Sequence, residues 1–225
     1  MLDHAAARAQ MVDRQIAGRG VSDAGVLAAM RVVPREVFVP PEYAEQAYDD
    51  GPLPIGAGQT ISQPYVVAVM VEAAELAAGD RVLEIGAGSG YAAAVMSRIA
   101  ARVFAIERHA DLVEAARARL AHLGYDNIEL RAGDGTQGWP DAAPFDAIIA
   151  SAGGPAIPQA LKAQLRIGGR LIAPVGDTPR AQRLIKMRRV DATTYVEADL
   201  GDVAFVPLIG AHGWREEDDP LRRRR

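Results

Sequence analysis

The residues Glu84-Ile85-Gly86-Ala87-Gly88-Ser89-Gly90-Tyr91 carry the sharpest chemical signal in the chain, because they set three glycines and an acid between an apolar run and a helical one. Glycines let the backbone turn tightly and approach a ligand closely, and the helix that follows presents free N–H groups at its start. A nucleotide-like cofactor suits such a turn. The dinucleotide fingerprint G-x-G-x-x-G/A needs a small sixth residue for helix–strand packing, and Tyr91 in that place disfavours NAD. Glu107 stands twenty-one residues past Gly86 at the end of a second apolar run, where a carboxylate accepts from both hydroxyls of a ribose. The competing reading is a surface glutamate favoured by the start of the next helix. Asp134, within Gly133-Asp134-Gly135, could accept from an adenine amino group, although a lone G-D-G is equally well a turn. Three such features at the carboxyl ends of successive strands match the place where open α/β sheets bind ligands.

Composition removes other chemistries. The chain has no cysteine, so disulfides, a thiol nucleophile and Cys-ligated zinc are excluded. His4, His109, His122 and His212 are scattered without metal-ligand spacing and read as surface residues, and no metal site is expected. With 29 acidic against 25 basic residues the formal charge is -4, which lacks the basic footprint of a nucleic-acid partner. Gly51 to Val71 is the longest stretch without a charge, but its glycines, prolines and polar residues bar it from serving as a membrane helix. The start, MLDHAAARAQ, has no basic-then-apolar signal pattern, and a cytoplasmic, monomeric protein without a membrane partner is expected.

The elements that must position these residues follow from the pattern. Asp3 to about Arg31 reads as Ala-rich helix interrupted at Gly18 to Gly20, with Ser22 as the N-cap of a second short helix. Tyr48 to Pro64 reads as loop, because five Pro and Gly residues from Pro52 onward punctuate it. Strand, turn and helix then repeat: Arg81 to Ile85, a helix through about Ile99, Arg102 to Glu107, a helix over Ala110 to Leu123, then strands at Asn127 to Arg131, Phe145 to Ala150 and Arg170 to Val175. A Pro-started helix lies near Ile157 to Leu165. This alternation predicts an α/β chain with a doubly wound, mostly parallel sheet. Arg183 to Val190, Tyr195 to Leu200 and Val203 to Leu208 predict an antiparallel, hairpin-linked end. One domain is expected over 1–214, with N-terminal helices and a loop in 1–75, a sheet core in 79–210, and a disordered tail over 215–225.

The G-x-G-x-G spacing with Glu84 just before it resembles the first motif of class I S-adenosylmethionine-dependent methyltransferases, whose cofactor has a cationic sulfonium and an amino group instead of a pyrophosphate. More restricted are Asp50-Gly51-Pro52-Leu53-Pro54-Ile55-Gly56 and Gly58-Gln59-Thr60-Ile61-Ser62-Gln63-Pro64, together with GDG, Gly138-Trp139, PFDAII, GGRLIAPVG and Phe205-Val206-Pro207-Leu208. From about Gln10 to Trp214 the chain resembles the protein-L-isoaspartate O-methyltransferases. The resemblance implies a Rossmann-like methyltransferase fold and transfer of a methyl group from S-adenosylmethionine to the free carboxylate of isoaspartyl residues in damaged proteins and peptides. The ester then closes to a succinimide whose hydrolysis returns some normal aspartate.

It implies cofactor contacts from Glu84, Gly86, Ala87, Gly88, Gly90, Glu107, Arg108, Asp134 and Gly135, and substrate contacts from Gln59, Thr60, Ile61, Ser62, Val206, Pro207 and Leu208. One departure is Ser151-Ala152-Gly153-Gly154-Pro155 where such proteins often read Thr-Ala-Ala, and the extra glycines are expected to widen or loosen the cofactor-side wall. A carboxylate is already ionised at neutral pH, so its attack on a sulfonium methyl needs no general base. The catalytic assignment falls on the Ser62 hydroxyl, which would orient one carboxylate oxygen; its alternative role is an N-cap before Tyr65 to Glu75. A methyltransferase of small acids or amines on the same fold, and a cofactor-free peptide adaptor, remain the rival readings.

Overall fold

The computed structural model describes residues 3–178 and 181–218. Asp3 caps α1 (His4–Gln10), its side chain accepting from the N–H groups of Ala5 and Ala6. The helix continues as a π-helical turn over Met11–Ile16 that buries Met11, Val12 and Ile16. α2 (Ala24–Val32) starts from Asp23, not Ser22: the Asp23 carboxylate accepts from Val26 N–H at 2.8 Å. Glu72 takes the N–H groups of both Ser22 and Asp23, at 2.7 and 2.8 Å. Two carboxylates near the positive end of the helix outcompete a neutral hydroxyl there.

Tyr48 to Pro64 contains regular structure where a loop is expected. β1 (Leu53–Gly56) and β2 (Gln59–Ile61) form an antiparallel hairpin that pairs Leu53 with Ile61 and Pro54 with Thr60. The prolines are tolerated because this ribbon of two strands stands outside the main sheet, where a missing N–H interrupts no central ladder. Leu53 and Ile61 point inward and are buried. Pro64 then opens α3 (Pro64–Ala73), occupying a first turn in which its missing donor costs nothing.

Beyond this the chain alternates as its periodicity predicts: β3 (Arg81–Ile85), α4 (Tyr91–Ser97), β4 (Arg102–Glu107), α5 (Ala110–His122), β5 (Ile128–Ala132), β6 (Phe145–Ala150), α6 (Gln159–Gln164), β7 (Leu165–Thr178), β8 (Ala181–Arg189) and β9 (Tyr195–Val203). The sheet has the order β5-β4-β3-β6-β7-β8-β9, parallel as far as β7 and antiparallel after it. β6 lies beside β3 although two strand–helix units separate them, so the direction of winding reverses between these two strands. The crevice at their carboxyl ends is where a doubly wound sheet leaves room for a ligand.

Alternate residues of the strands feed two cores. Val103 and Ala105 pack toward the N-terminal helices, while Phe104 and Ile106 join Trp139 and Phe145 on the other face. Phe104 meets the Trp139 and Phe145 rings edge-on at 5.5 and 5.6 Å. The all-apolar part of β6 reflects this burial on both faces. A buried ion pair, Arg170 with Asp80 at 2.8 Å, and bonds from Arg170 to the carbonyls of Ala74 and Glu75 fasten the end of α3 to β7.

Two expectations for the C-terminal part are corrected. β9 ends at Val203, and Val206–Leu208 does not extend the hairpin; it runs parallel to Gly153, with Gly153 N–H donating to Val206 O and Leu208 N–H to Gly153 O, both at 2.8 Å. The first residues of the tail are ordered: Glu216–Asp218 forms a 3-10 turn, and Glu216 pairs with Arg108 at 2.8 Å. The rest of the expected disordered tail, 219–225, lies outside the described residues. No helix among the described residues is long and apolar enough to cross a membrane.

Candidate active site

A cleft opens at the carboxyl ends of β3, β4 and β6. Its walls bring together Gln59, Thr60, Ile61 and Ser62 from the hairpin, Glu84 to Ser89 from the glycine turn, Glu107 and Arg108 after β4, Gly135, and Val206 to Leu208. These segments are far apart in sequence, yet they line one concave site with a few convergent polar groups, the usual form of a ligand pocket. Ile85 and Ser89 of the same turn, with Val67, Tyr91, Ala92, Ile106 and Ile209, carry no assignment from the sequence yet also line it, as do Ser151 and Ala152 of the segment expected at the cofactor-side wall.

Glu84 is 1% exposed, and its Oε2 has no hydrogen-bond partner. Burial, reinforced by the nearby Glu107 carboxylate and only partly opposed by the Ala93 N–H, raises its pKa well above the ordinary glutamate value. A buried acid with one oxygen left unpartnered at the edge of a cleft suits a cation. Glu107 is oriented by the backbone: Gly88 N–H donates to Oε2 and His109 N–H to Oε1, each at 2.9 Å. Each oxygen keeps a lone pair for one hydroxyl of a ribose.

Two residues assigned to the cofactor lie elsewhere. Gly90, in the left-handed region at φ 85°, does not line the cleft; a Cβ there would meet Leu120 Cδ1 at 3.3 Å and Ala116 Cβ at 3.5 Å, so its missing side chain lets α4 and α5 approach. Asp134 lines a neighbouring cavity that shares Arg108 and Ile209 with the main cleft. Its carboxylate is already engaged, Oδ1 by the N–H and hydroxyl of Thr136 and Oδ2 by Gln137 and the Ala211 N–H. Burial pushes its pKa up, but those hydrogen bonds outweigh it and hold the group below the usual aspartate value. The turn reading of Asp134 is therefore the one its geometry expresses.

The Ser62 hydroxyl makes no hydrogen bond to protein among the described residues, and the cap position before α3 belongs to Gln63, whose side chain bonds Asp50 instead. Nothing competes for that hydroxyl. None of the four histidines lines the cleft, but the surface reading fails for two: His4 and His109 are half-buried, each with one shielded ring nitrogen lacking a partner. Among the described residues no group of His, Asp or Glu could hold a metal ion.

The sequence model of the "Protein-L-isoaspartate(D-aspartate) O-methyltransferase (PCMT)" family matches residues 6–213. The chain belongs to this family. A protein-L-isoaspartate O-methyltransferase of Rhodopseudomonas palustris is 56% identical over 96% of this chain and 99% of its own length. One of Methylorubrum extorquens is 60% identical over 94% of this chain and 92% of its own. Among solved structures, a Plasmodium falciparum protein-L-isoaspartate O-methyltransferase in complex with S-adenosyl-L-homocysteine superposes with a TM-score of 0.78 at 26% identity, covering 90% of this chain and 98% of that one. The activity is accordingly that of a protein-repair methyltransferase, and S-adenosylmethionine is the methyl donor.

Within this O-methyltransferase the Gly153-Gly154 departure does not loosen a wall. A Cβ on Gly153 would lie 2.7 Å from Gln182 Cδ, so the space is taken by a glutamine side chain from β8. That buried amide reads the backbone of one residue from both sides, donating to Phe205 O at 3.2 Å and accepting from Phe205 N–H at 2.7 Å. Glycine 153 and Gln182 together fix the segment that reaches the cleft as Val206, Pro207 and Leu208.

Proposed function

We propose that Ser62 orients the isoaspartyl carboxylate for methyl transfer while Glu84 and Glu107 hold S-adenosylmethionine, with Gly86, Ala87, Gly88, Arg108 and Gly135 forming its bed. The observation that carries this reading is that one cleft contains both a hydroxyl with no protein partner and a buried carboxyl with one oxygen, Glu84 Oε2, unpartnered. The first matches an anion and the second a cation, which are the two charges the reaction brings together. When bound, the cofactor supplies a methyl group on a positively charged sulfur. The carboxylate needs no proton removed, so the chain's own task is to bind, orient and exclude water. Gln59, Thr60 and Ile61 border the substrate from the hairpin, and Val206, Pro207 and Leu208 from the opposite chain segment.

We further propose that residues 1–214 act as one methyltransferase domain, in the cytoplasm, as a monomer with no nucleic-acid partner. Support comes from the formal charge of -4, the lack of cysteine, and Glu197, Asp199 and Asp202 on the edge strand β9, where acidic charge discourages sheet-to-sheet pairing.

Replacement of Ser62 by Ala tests the central assignment. A hydrogen bond to a charged group is worth about 1.5 to 3 kcal/mol, so kcat/KM for an isoaspartyl peptide should fall by about 10- to 100-fold. The dissociation constant for S-adenosylhomocysteine should stay the same. Equal losses in both would mean that the substitution disturbs the hairpin rather than the carboxylate.

A further inference from the structure

Arg35 is 0% exposed and the largest of the fully buried side chains, and among the described residues it forms no ion pair. A buried guanidinium without a carboxylate is costly unless its hydrogen bonds do something that a hydrocarbon could not. Its bonds are informative. Nε donates to Ala47 O at 2.7 Å and Nη2 to Ser62 O at 2.8 Å. Ala47 precedes the β1–β2 hairpin and Ser62 follows it, so one planar group ties the two ends of the hairpin together. The same guanidinium lies 4.8 Å from the centroid of Tyr91, the first residue of α4 and part of the cleft wall. Phe38 braces that ring edge-on at 5.5 Å, and the Tyr91 hydroxyl donates to Met30 Sδ.

We infer that Arg35 is a positioning residue for methyl transfer: it sets the backbone of Ser62 relative to the cofactor turn and so aims the Ser62 hydroxyl at the substrate carboxylate. The inference rests on the assignment of Ser62 made above. Its chemistry explains the residue type. Two carbonyls and an aromatic face require a flat, forked donor that stacks, and lysine has neither the fork nor the plane. A permanent cation bonded to the Ser62 peptide also biases an otherwise uncharged segment, Gly51 to Val71, toward an anionic substrate.

A double-mutant cycle with Arg35→Lys, Ser62→Ala and the pair tests it, read as kcat and KM for an isoaspartyl peptide and as calorimetric affinity for S-adenosylhomocysteine. Arg35→Lys alone should lower kcat/KM at least about 10-fold and change cofactor affinity less than about threefold. In the Ser62→Ala background the same lysine should cost less than about threefold, because the group it aims is gone. Equal cost in both backgrounds, or a matching loss of cofactor affinity, would overturn the inference while leaving Ser62 in place. A fully active Ser62→Ala variant would overturn the Ser62 assignment itself, and this inference with it. Should Arg35→Lys not fold, Arg35→Gln is read in the same cycle, since it is neutral and escapes the charge-burial cost. Failure of both to fold would mark Arg35 as a framework residue and also overturn the inference.

Discussion

At the scale of single residues, Glu84 and Glu107 divide the work of two carboxylates by environment. Glu107 is held ready by two backbone N–H groups, whereas Glu84 is buried against a second acid with one oxygen unpartnered. Replacing Glu107 by Ala should weaken cofactor binding by about 1.5 to 3 kcal/mol, the scale of hydrogen bonds to a charged group. Calorimetry with S-adenosylhomocysteine checks this, and an unchanged dissociation constant would remove Glu107 from the site. Glu84 makes a prediction about pH. Its folded pKa lies above its unfolded value, so the cofactor-free protein holds the extra proton and loses stability as pH rises from the ordinary glutamate range through the raised pKa. A bound cation favours the ionised form, so cofactor binding should release a proton and tighten with rising pH over the same window. Glu84→Gln should abolish the proton release, flatten the stability slope and weaken binding. Calorimetry in buffers of different ionisation enthalpy measures the proton directly.

Elements rather than side chains decide how two other positions behave. Gly90 caps α4 in a left-handed conformation and leaves room for Leu120 of α5. Gly90→Ala should therefore lower stability by about 1 to 3 kcal/mol, the cost of strain at such a conformation, with cofactor affinity following only as the turn shifts. Thermal denaturation of the two proteins compares them. Gly153 has a different role, because the atom nearest an added methyl is the Gln182 side-chain amide that clamps Phe205. Gly153→Ala should push that amide away and release Val206 to Leu208. The expected reading is a raised KM for peptide substrate with cofactor affinity unchanged. If KM does not move, the clamp does not position substrate.

Across the whole molecule, the proposed arrangement of a neutral hairpin, a buried cation at its base and an acid-lined cofactor bed would sum to selectivity for one carboxylate geometry. Isoaspartate and aspartate peptides differ by moving one methylene from side chain to backbone, which leaves apolar area nearly constant but displaces the carboxylate. Misplacing a reacting atom by about 1 Å costs on the order of 100-fold in rate. With labelled S-adenosylmethionine, base-labile methyl ester should form on the isoaspartyl peptide and scarcely on its aspartyl twin. Equal labelling would contradict the geometric account. At saturating cofactor, kcat should also be flat from pH 6 to 8, because no residue in the cleft has to remove a proton.

The sequence by itself determined the alternation of strands and helices, the glycine turn after β3 and the acid after β4, because these are written in residues close together in the chain. Phe145–Ala150 reads as a strand from its own residues, and the sheet buries it along its whole length. Tertiary structure decided what depends on partners far away. The hairpin within Tyr48 to Pro64 forms because Leu53 and Ile61 find a common buried side, which no local count of prolines reveals. Asp134 serves the Thr136 turn and the Ala211 N–H because the chain returns some seventy-seven residues later to meet it. Arg35 carries no signal in the local sequence, and its role exists only once Ala47, Ser62 and Tyr91 are brought around it. The glycines at 153 and 154 look like slack until Gln182 arrives from β8 to fill the space at Gly153, and Ala156 and Leu208 close on Gly154. Pattern records the burial of a face at a fixed period, whereas the identity of the group across that face is settled only when the chain closes on itself.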